Sequence, residues 1–124
     1  MLPTPTIAIV DDDQAMREAL DDMVKSCGYN SRLFVAAEAF LTDNARQAID
    51  CMLVDVKMPG MSGIELQEIL NAEPVRPPII FMTSYRDERT RAAAMDGGAL
   101  AFLGKPVDFD TLITLLEQAL HRTQ

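Results

Sequence analysis

Short runs of consecutive apolar residues alternate along the chain with segments whose apolar residues recur at helical spacing. The clearest runs lie at residues 7–10, 51–54, 78–82 and 100–103, and a weaker one lies at 31–35. Because these runs are apolar at consecutive positions rather than at every second one, they are typical of strands that are buried on both faces. The pattern predicts five strands, the one at 31–35 being the least marked.

The segments between the runs are predicted to be helices. Their patterns cover residues 16–27, 36–43, 62–73, 87–95 and 108–120. Ser62 and Glu65 have the spacing of a capping box, and Asp87 and Asp108 are suited to cap the last two helices. A strand followed by a helix, repeated five times, predicts one α/β domain of the doubly wound class, with helices on both faces of a parallel sheet.

Composition supports a single globular domain and excludes several classes of protein. The chain has 124 residues, of which 48% are hydrophobic and 24% charged, and its net charge is -8. That negative balance, with scattered basic residues, argues against direct contact with nucleic acid. The two cysteines have no C-x-x-C spacing and are expected to be small buried residues. Without a signal peptide or an apolar stretch of membrane-spanning length, the chain is expected to be cytoplasmic, with no membrane contact.

Chemically capable side chains follow four of the predicted strands. Three aspartates, residues 11–13, follow the first strand, Asp55 follows the third, Thr83 and Ser84 follow the fourth, and Lys105 comes just after the fifth. The carboxyl ends of parallel strands lie at one edge of a sheet, which is where ligands bind in this class. We therefore expect these groups to form one site.

A cluster of carboxylates is stabilised by a divalent cation, because the negative charges otherwise repel one another. Oxygen ligands without histidine point to Mg²⁺, which commonly keeps coordination positions for phosphate oxygens. The hydroxyl of Thr83 and the charge of Lys105 suit a phosphoryl group at the same place. Two plainer interpretations remain open here: Asp13 caps the first helix, and Asp55 only begins a turn.

Several motifs in order along the whole chain are similar to those of a known family. They are Ile-Val-Asp-Asp-Asp at 9–13, Val-Asp-Val-Lys-Met-Pro-Gly-Met-Ser-Gly at 54–63, Phe-Met-Thr-Ser at 81–84 and Gly-Lys-Pro at 104–106. The chain resembles the receiver domain of bacterial two-component response regulators. The local sequence of its motifs is most similar to that of receivers of the nitrogen-fixation regulator type. The resemblance implies a flavodoxin-like fold with strand order 2-1-3-4-5 and five helices.

The same resemblance implies a phosphoacceptor site. Asp55 would accept a phosphoryl group from a phosphohistidine on a sensor histidine kinase. Mg²⁺ would be held by Asp12 and Asp55 and by the backbone carbonyl of Lys57, with Asp11 acting through water.

Further roles in phosphoryl binding and switching are also implied by the resemblance. Lys105 would pair with the phosphoryl oxygens, Thr83 would bond one of them, and the backbone N–H of Ser84 would contact the same group. Thr83 and the inward-turning aromatic residue Phe102 would then bias the face formed by the fourth helix, fifth strand and fifth helix. That face would mediate dimerisation on phosphorylation or contact with a DNA-binding effector domain. Lys105–Pro106 is expected to be a cis peptide.

Residues 1–124 are expected to form a single receiver domain with no effector domain, either excised from a longer regulator or acting alone. Its chemistry would be limited to self-catalysed phosphorylation and dephosphorylation of Asp55, so it would not be an enzyme. One alternative is a phosphatase of the haloacid dehalogenase type, for which Asp11 and Asp13 have the spacing of nucleophile and second aspartate. Another is a pseudo-receiver, which keeps the fold but works without phosphorylation.

Overall fold

Strands and helices alternate along the whole of the computed structural model, which describes residues 3–85 and 87–121. The strands are β1 (Thr6–Val10), β2 (Asn30–Phe34), β3 (Cys51–Asp55), β4 (Ile79–Thr83) and β5 (Ala101–Gly104). The α-helices are α1 (Gln14–Ser26), α2 (Ala37–Leu41), α3 (Gly63–Asn71), α4 (Glu88–Asp96) and α5 (Phe109–His121). A short 3-10 helix, Arg46–Ala48, precedes β3.

The strands form one parallel sheet in the order β2-β1-β3-β4-β5. This confirms the doubly wound α/β fold and the strand order that the sequence led us to expect. In the register of the sheet Asp55 lies opposite Met82, and Thr83 lies opposite Gly104. The last residues of β3, β4 and β5 therefore lie at the same edge.

Apolar side chains form a separate core on each face of the sheet, because successive side chains of a strand point to opposite faces. Ile7 and Ile9 of β1 pack in the core that also contains Leu20 of α1 and Leu112 of α5. Ala8 and Val10 belong to the second core, which also contains residues of helices α2, α3 and α4, of the sheet and of the connecting loops. Continuous apolar runs in β1, β3 and β4 thus reflect burial on both faces.

Side-chain caps predicted from the sequence are present at the beginnings of helices α1 and α3. Asp13 accepts a hydrogen bond from the backbone N–H of Ala15, so its role as the cap of α1 is confirmed. Ser62 and Glu65 form the complete capping box of α3. Helix α2 is shorter than predicted and ends before Thr42, whose hydroxyl bonds to the backbone carbonyl oxygens of Glu38 and Ala39 at 3.2 Å.

The weaker pattern of β2 agrees with its exposure at the edge of the sheet, where Phe34 is its one buried residue. Leu33 of this strand is 43% exposed. The peptide bond Lys105–Pro106 is cis, as expected.

Both cysteines are free thiols. Cys51 is buried in β3, and burial raises the pKa of its thiol to about 12. Cys27 is only half-buried, so the prediction of two buried cysteines was wrong for this residue, which follows the end of α1. Within the described residues, none of the helices combines the length and apolar character needed to cross a membrane.

Candidate functional site

Three carboxylates converge at the carboxyl edge of the sheet. Asp11 and Asp12 follow directly after β1, and Asp55 is the last residue of β3. One carboxylate oxygen from each lies within 4.8 Å of the other two. Asp11 is fully buried, Asp55 is 7% exposed and Asp12 is exposed. The strand-end placement predicted for these residues brings them together as expected.

Lys105 reaches the same cluster from the loop after β5. Its ammonium nitrogen lies 3.0 Å from Oδ2 of Asp11 and 3.5 Å from Oδ2 of Asp55. Its backbone N–H donates to the carbonyl oxygen of Thr83 at 2.7 Å, which positions the lysine beside the end of β4. An ammonium group between two buried carboxylates offsets part of their repulsion.

The charges of the site alter the pKa values of both partners. Burial, reinforced by the negative charge of Asp11, raises the pKa of Asp55 to about 6 although Lys105 opposes the shift. Burial alone would lower the pKa of Lys105, but its hydrogen bond to Asp11 and the charges of Asp11 and Asp55 raise it above the ordinary value. Three carboxylates share this cluster with one ammonium group, so their negative charges are only partly offset.

The donor set fits Mg²⁺, which prefers oxygen ligands and is bound in proteins by a small number of carboxylates. Asp11, Asp12 and Asp55 supply carboxylate oxygens close enough together to share one ion. Lys57, whose backbone carbonyl was predicted as a further ligand, lies in the loop after β3, and its side chain is exposed. The role of that carbonyl stays a prediction.

Asp11 is hydrogen-bonded by two residues that follow it in the chain. Oδ1 of its carboxylate accepts a hydrogen bond from the N–H of Asp13 at 2.9 Å. The guanidinium of Arg17 in α1 donates to the backbone carbonyl of Asp11, also at 2.9 Å. Sequence reasoning did not identify Arg17, because an arginine in the first turns of a helix carries no signal of a contact with the preceding loop.

Thr83 is buried at the end of β4, and its hydroxyl is hydrogen-bonded to the backbone of the loop that follows the strand. Oγ1 donates to the carbonyl oxygen of Tyr85 at 3.0 Å and accepts from the N–H of Tyr85 at 3.1 Å. Tyr85 is 60% exposed, and the ammonium of Lys57 lies 4.4 Å from the centroid of its ring, within the range of a cation–π contact. Ser84, between Thr83 and Tyr85, is exposed. The loops after β3 and β4 are thus in direct contact.

Phe102 of β5 is half-buried and packs against the core on the α3 and α4 side of the sheet. Its ring centroid lies 6.5 Å from that of Phe81. Phe102 also lines a cavity of about 420 Å³ between β5 and the start of α4. The aromatic residue predicted to change position therefore lies beside open volume.

Two further features of the loop after β3 escaped sequence analysis. Glu38 of α2 accepts a hydrogen bond from the N–H of Met61 at 3.0 Å, and this bond lowers the pKa of Glu38. Gly60, next to Met61, has a φ of +77°, and a Cβ there would lie 2.6 Å from a carboxylate oxygen of Glu38. The two partners are 23 residues apart, so no local pattern marks the contact.

Comparison with known proteins agrees with this geometry. The model of the response regulator receiver domain family matches residues 7–117. The transcriptional regulatory protein FixJ of Bradyrhizobium diazoefficiens is 37% identical over 118 residues, which are 95% of this chain and 58% of the relative. The response regulator protein TmoT of Ectopseudomonas mendocina is 39% identical over 114 residues, 92% of this chain and 52% of the relative. The chain thus spans about half the length of these curated relatives.

Solved structures show the same similarity. The response regulator StyR is 40% identical, with a TM-score of 0.87, and the match covers 95% of this chain and 60% of that one. The structure named FixJ-N is 30% identical, with a TM-score of 0.85, and the match covers 98% and 97% of the two chains. These matches exclude the alternative that the chain is a phosphatase of the haloacid dehalogenase type. The chain belongs to the response regulator receiver domain family, the phosphorelay domains of two-component signal transduction.

Proposed function

We propose that the chain accepts a phosphoryl group on Asp55 from the phosphohistidine of a sensor histidine kinase. The observation that carries this proposal is the buried Asp55 carboxylate at the end of β3, in one cluster with Asp11 and Asp12 and 3.5 Å from the Lys105 ammonium. In the transfer an oxygen of Asp55 forms a bond to phosphorus while the bond from phosphorus to the histidine nitrogen breaks. The leaving imidazole keeps the electron pair of that bond and takes up a proton.

Mg²⁺, held by Asp11, Asp12, Asp55 and the backbone carbonyl of Lys57, would neutralise charge on the carboxylates and on the incoming phosphoryl group. Lys105 contributes a fixed positive charge to the same end of the site, because its ammonium is oriented by Asp11. Catalysis of phosphoryl transfer depends mainly on such positioning and charge stabilisation.

Once Asp55 is phosphorylated, Thr83 would exchange its bonds to Tyr85 for a bond to a phosphoryl oxygen, and the N–H of Ser84 would contact the same group. Phe102 would turn inward beside Phe81, and the face formed by α4, β5 and α5 would change. A homodimer or a DNA-binding output domain would read this change; the relative FixJ is named a transcriptional regulatory protein. The chain itself would turn over no other substrate, its chemistry being limited to phosphorylation and dephosphorylation of Asp55.

Intact mass measurement with Mg²⁺ and acetyl phosphate tests the proposal. We expect one added phosphoryl group on the native chain, and none without Mg²⁺ or on Asp55→Asn. Asp50→Asn, which changes an exposed aspartate ahead of β3, is the matched control and should be phosphorylated normally. No adduct on the native chain, together with unchanged amide resonances in beryllofluoride, would support the pseudo-receiver alternative instead.

The bonds between Thr83 and Tyr85 give a second expected result. Thr83→Val removes the acceptor of the Tyr85 N–H, and a hydrogen bond is worth about 1 kcal/mol, so hydrogen exchange of this amide should become about fivefold faster. Mg²⁺ with beryllofluoride should cause the same loss of protection in the native chain, because the Thr83 hydroxyl then leaves Tyr85. Amide exchange followed by NMR measures both effects.

The amide of Arg89 is the internal control for that experiment. It donates to the side chain of Asp87 at 3.1 Å in the cap of α4, a bond that does not involve Thr83. Its exchange should be the same in native and Thr83→Val chains. Equal acceleration of both amides would mean that the whole segment had loosened, and the specific role of the Thr83 hydroxyl would then be wrong.

A further inference from the structure

The loop between β3 and α3 carries Lys57, whose backbone carbonyl is a proposed ligand of Mg²⁺. The loop is closed at its base, where the N–H of Gly63 donates to the carbonyl oxygen of Val56 at 2.8 Å. Its last residue, Ser62, is fixed by the capping box of α3, in which the Ser62 N–H donates to Oε1 of Glu65 at 2.9 Å. These bonds fix the two ends of the loop, so the position of its middle depends on other contacts.

Glu38 of α2 contacts the middle of this loop. Its Oε2 accepts a hydrogen bond from the N–H of Met61 at 3.0 Å. Gly60, the preceding residue, has a φ of +77°, and a Cβ there would lie 2.6 Å from the same oxygen. Because glycine has no side chain, the carboxylate can approach the backbone of the loop closely. A hydrogen bond to a charged acceptor is stronger than one between neutral groups.

Helix α2 is itself attached to the rest of the domain, so the Glu38 carboxylate is supported from behind. Ala37 and Phe40, on either side of Glu38 in α2, are buried. The ring of Phe40 packs edge-on against that of Phe34, the last residue of β2, with the ring centroids 5.3 Å apart. Met61 is half-buried and packs against the core that contains Phe40. Apolar packing and a charged hydrogen bond thus both connect the loop with the α2 side of the domain.

We infer that Glu38 is a positioning residue for the magnesium site: its carboxylate holds the loop at Met61 and thereby keeps the Lys57 carbonyl in place. None of the proposed ligands belongs to α2, so Glu38 acts through the loop. The inference deepens the proposed function and rests on it for the role of the Lys57 carbonyl. A loop that already has its bound conformation costs no ordering free energy when the ion binds. If only a fraction of the chains has the loop in place, the apparent affinity falls by that fraction.

Amide exchange of the metal-free chain tests the contact between Glu38 and the loop. Glu38→Met keeps a side chain of similar length and removes the acceptor, so the Met61 amide should exchange about fivefold faster. Glu38→Gln keeps an acceptor oxygen without the charge and should restore most of the protection. Glu68→Met makes the same change at an exposed position of α3 and should leave the Met61 amide unchanged. The amide of Gly63 is the internal control and should exchange equally in all four chains.

Titration with Mg²⁺, followed by the amide resonances around Asp55, tests the effect on the metal site. Glu38→Met should bind Mg²⁺ about fivefold more weakly than the native chain, because the ion must then order the loop. Glu38→Gln should stay within about twofold of the native affinity. Glu68→Met removes the same charge and measures what that charge alone contributes, which screening by salt keeps small.

The inference is wrong if Glu38→Met and native chains bind Mg²⁺ equally, or if Glu38→Met and Glu68→Met lose the same affinity. In both cases the affinity would not depend on the bond to Met61. Unchanged exchange of the Met61 amide in Glu38→Met would overturn the inference as well, and so would equal acceleration of the Gly63 amide, which would indicate general loosening of the loop. A native chain without Mg²⁺-dependent shifts around Asp55 would contradict the proposed function itself, whatever the exchange of Met61.

Discussion

Replacing Lys105 by methionine is expected to slow phosphorylation of Asp55 by about a hundredfold or more, the loss seen when one preorganised charge donor is removed from a reacting oxygen. The effect should be this large because Lys105 is the cation that the structure places within 3.5 Å of Asp55. Its side chain is only 14% exposed, so water replaces its charge poorly. The rate of adduct formation with acetyl phosphate, followed by mass, measures the loss.

The same substitution should increase the affinity of the site for Mg²⁺. Without the ammonium, Asp11 and Asp55 lose the cation that offsets their repulsion, and a bound Mg²⁺ no longer meets a positive charge nearby. Charges at about 4 Å near a protein surface interact by about 4 kcal/mol, so a tightening of Mg²⁺ binding by about tenfold is a conservative expectation. Titration with Mg²⁺, followed by amide resonances around Asp55, measures the affinity.

Lys25→Met is the matched control, because the same change is made in an exposed pair. Lys25 is 62% exposed and lies 3.2 Å from Asp21 within α1. Surface pairs of this kind contribute about 0–1 kcal/mol, so the control should retain the native phosphorylation rate and Mg²⁺ affinity. If the Lys105→Met chain is phosphorylated as fast as the native one, the proposed role of Lys105 in phosphoryl transfer is wrong. Slower transfer combined with weaker Mg²⁺ binding would indicate a general loss of structure instead.

The fold was largely predictable because each central strand is buried on both faces and therefore leaves an uninterrupted apolar run. The run at residues 51–54, for example, corresponds to β3, which ends one residue later at Asp55. The strand order itself came from the family resemblance, since apolar runs do not specify which strands are neighbours. Strand β2 was weakly marked because Phe34 is its one buried residue, so its sequence is not apolar throughout.

The site was predictable where it depends on strand ends and unpredictable where it depends on side chains from distant elements. Asp55 and Lys105 meet because β3 and β5 are parallel in one sheet. By contrast, Glu38 accepts a hydrogen bond from the N–H of Met61 across 23 residues. A glutamate in a helix carries no local signal of such a bond. The contact of Lys57 with the Tyr85 ring also joins two loops whose spacing along the chain says nothing of their separation.

Gly63 is the residue at which fold and site depend on each other most directly. It begins α3, and its N–H donates to the carbonyl oxygen of Val56 at 2.8 Å. A Cβ at this position would lie 2.5 Å from the backbone carbonyl oxygen of Asp55, 3.0 Å from the Val54 side chain and 3.1 Å from the Phe81 ring. Any larger residue must therefore displace α3 from the end of β3.

Gly63→Ala is accordingly expected to reduce the free energy of unfolding by about 2 kcal/mol, in the range found for overpacked interiors. Because the displaced atom belongs to the backbone of Asp55, we also expect phosphorylation to slow by about ten- to hundredfold, as small misplacements of reacting groups do. Urea unfolding and the rate of adduct formation from acetyl phosphate measure the two effects on the same sample.

Gly28→Ala separates the loss of stability from the displacement of Asp55. Gly28 has a φ of +89°, and a Cβ there would contact nothing within 4 Å, so its replacement adds backbone strain of roughly 1–2 kcal/mol without a clash. This position follows α1, outside the residues of the site, so the variant should be destabilised by a similar amount and still be phosphorylated at the native rate. If Gly28→Ala lost activity in proportion to its stability, the effect of Gly63→Ala would be attributable to unfolding. A destabilised Gly63→Ala chain with native phosphorylation kinetics would show that Asp55 tolerates the shift of α3.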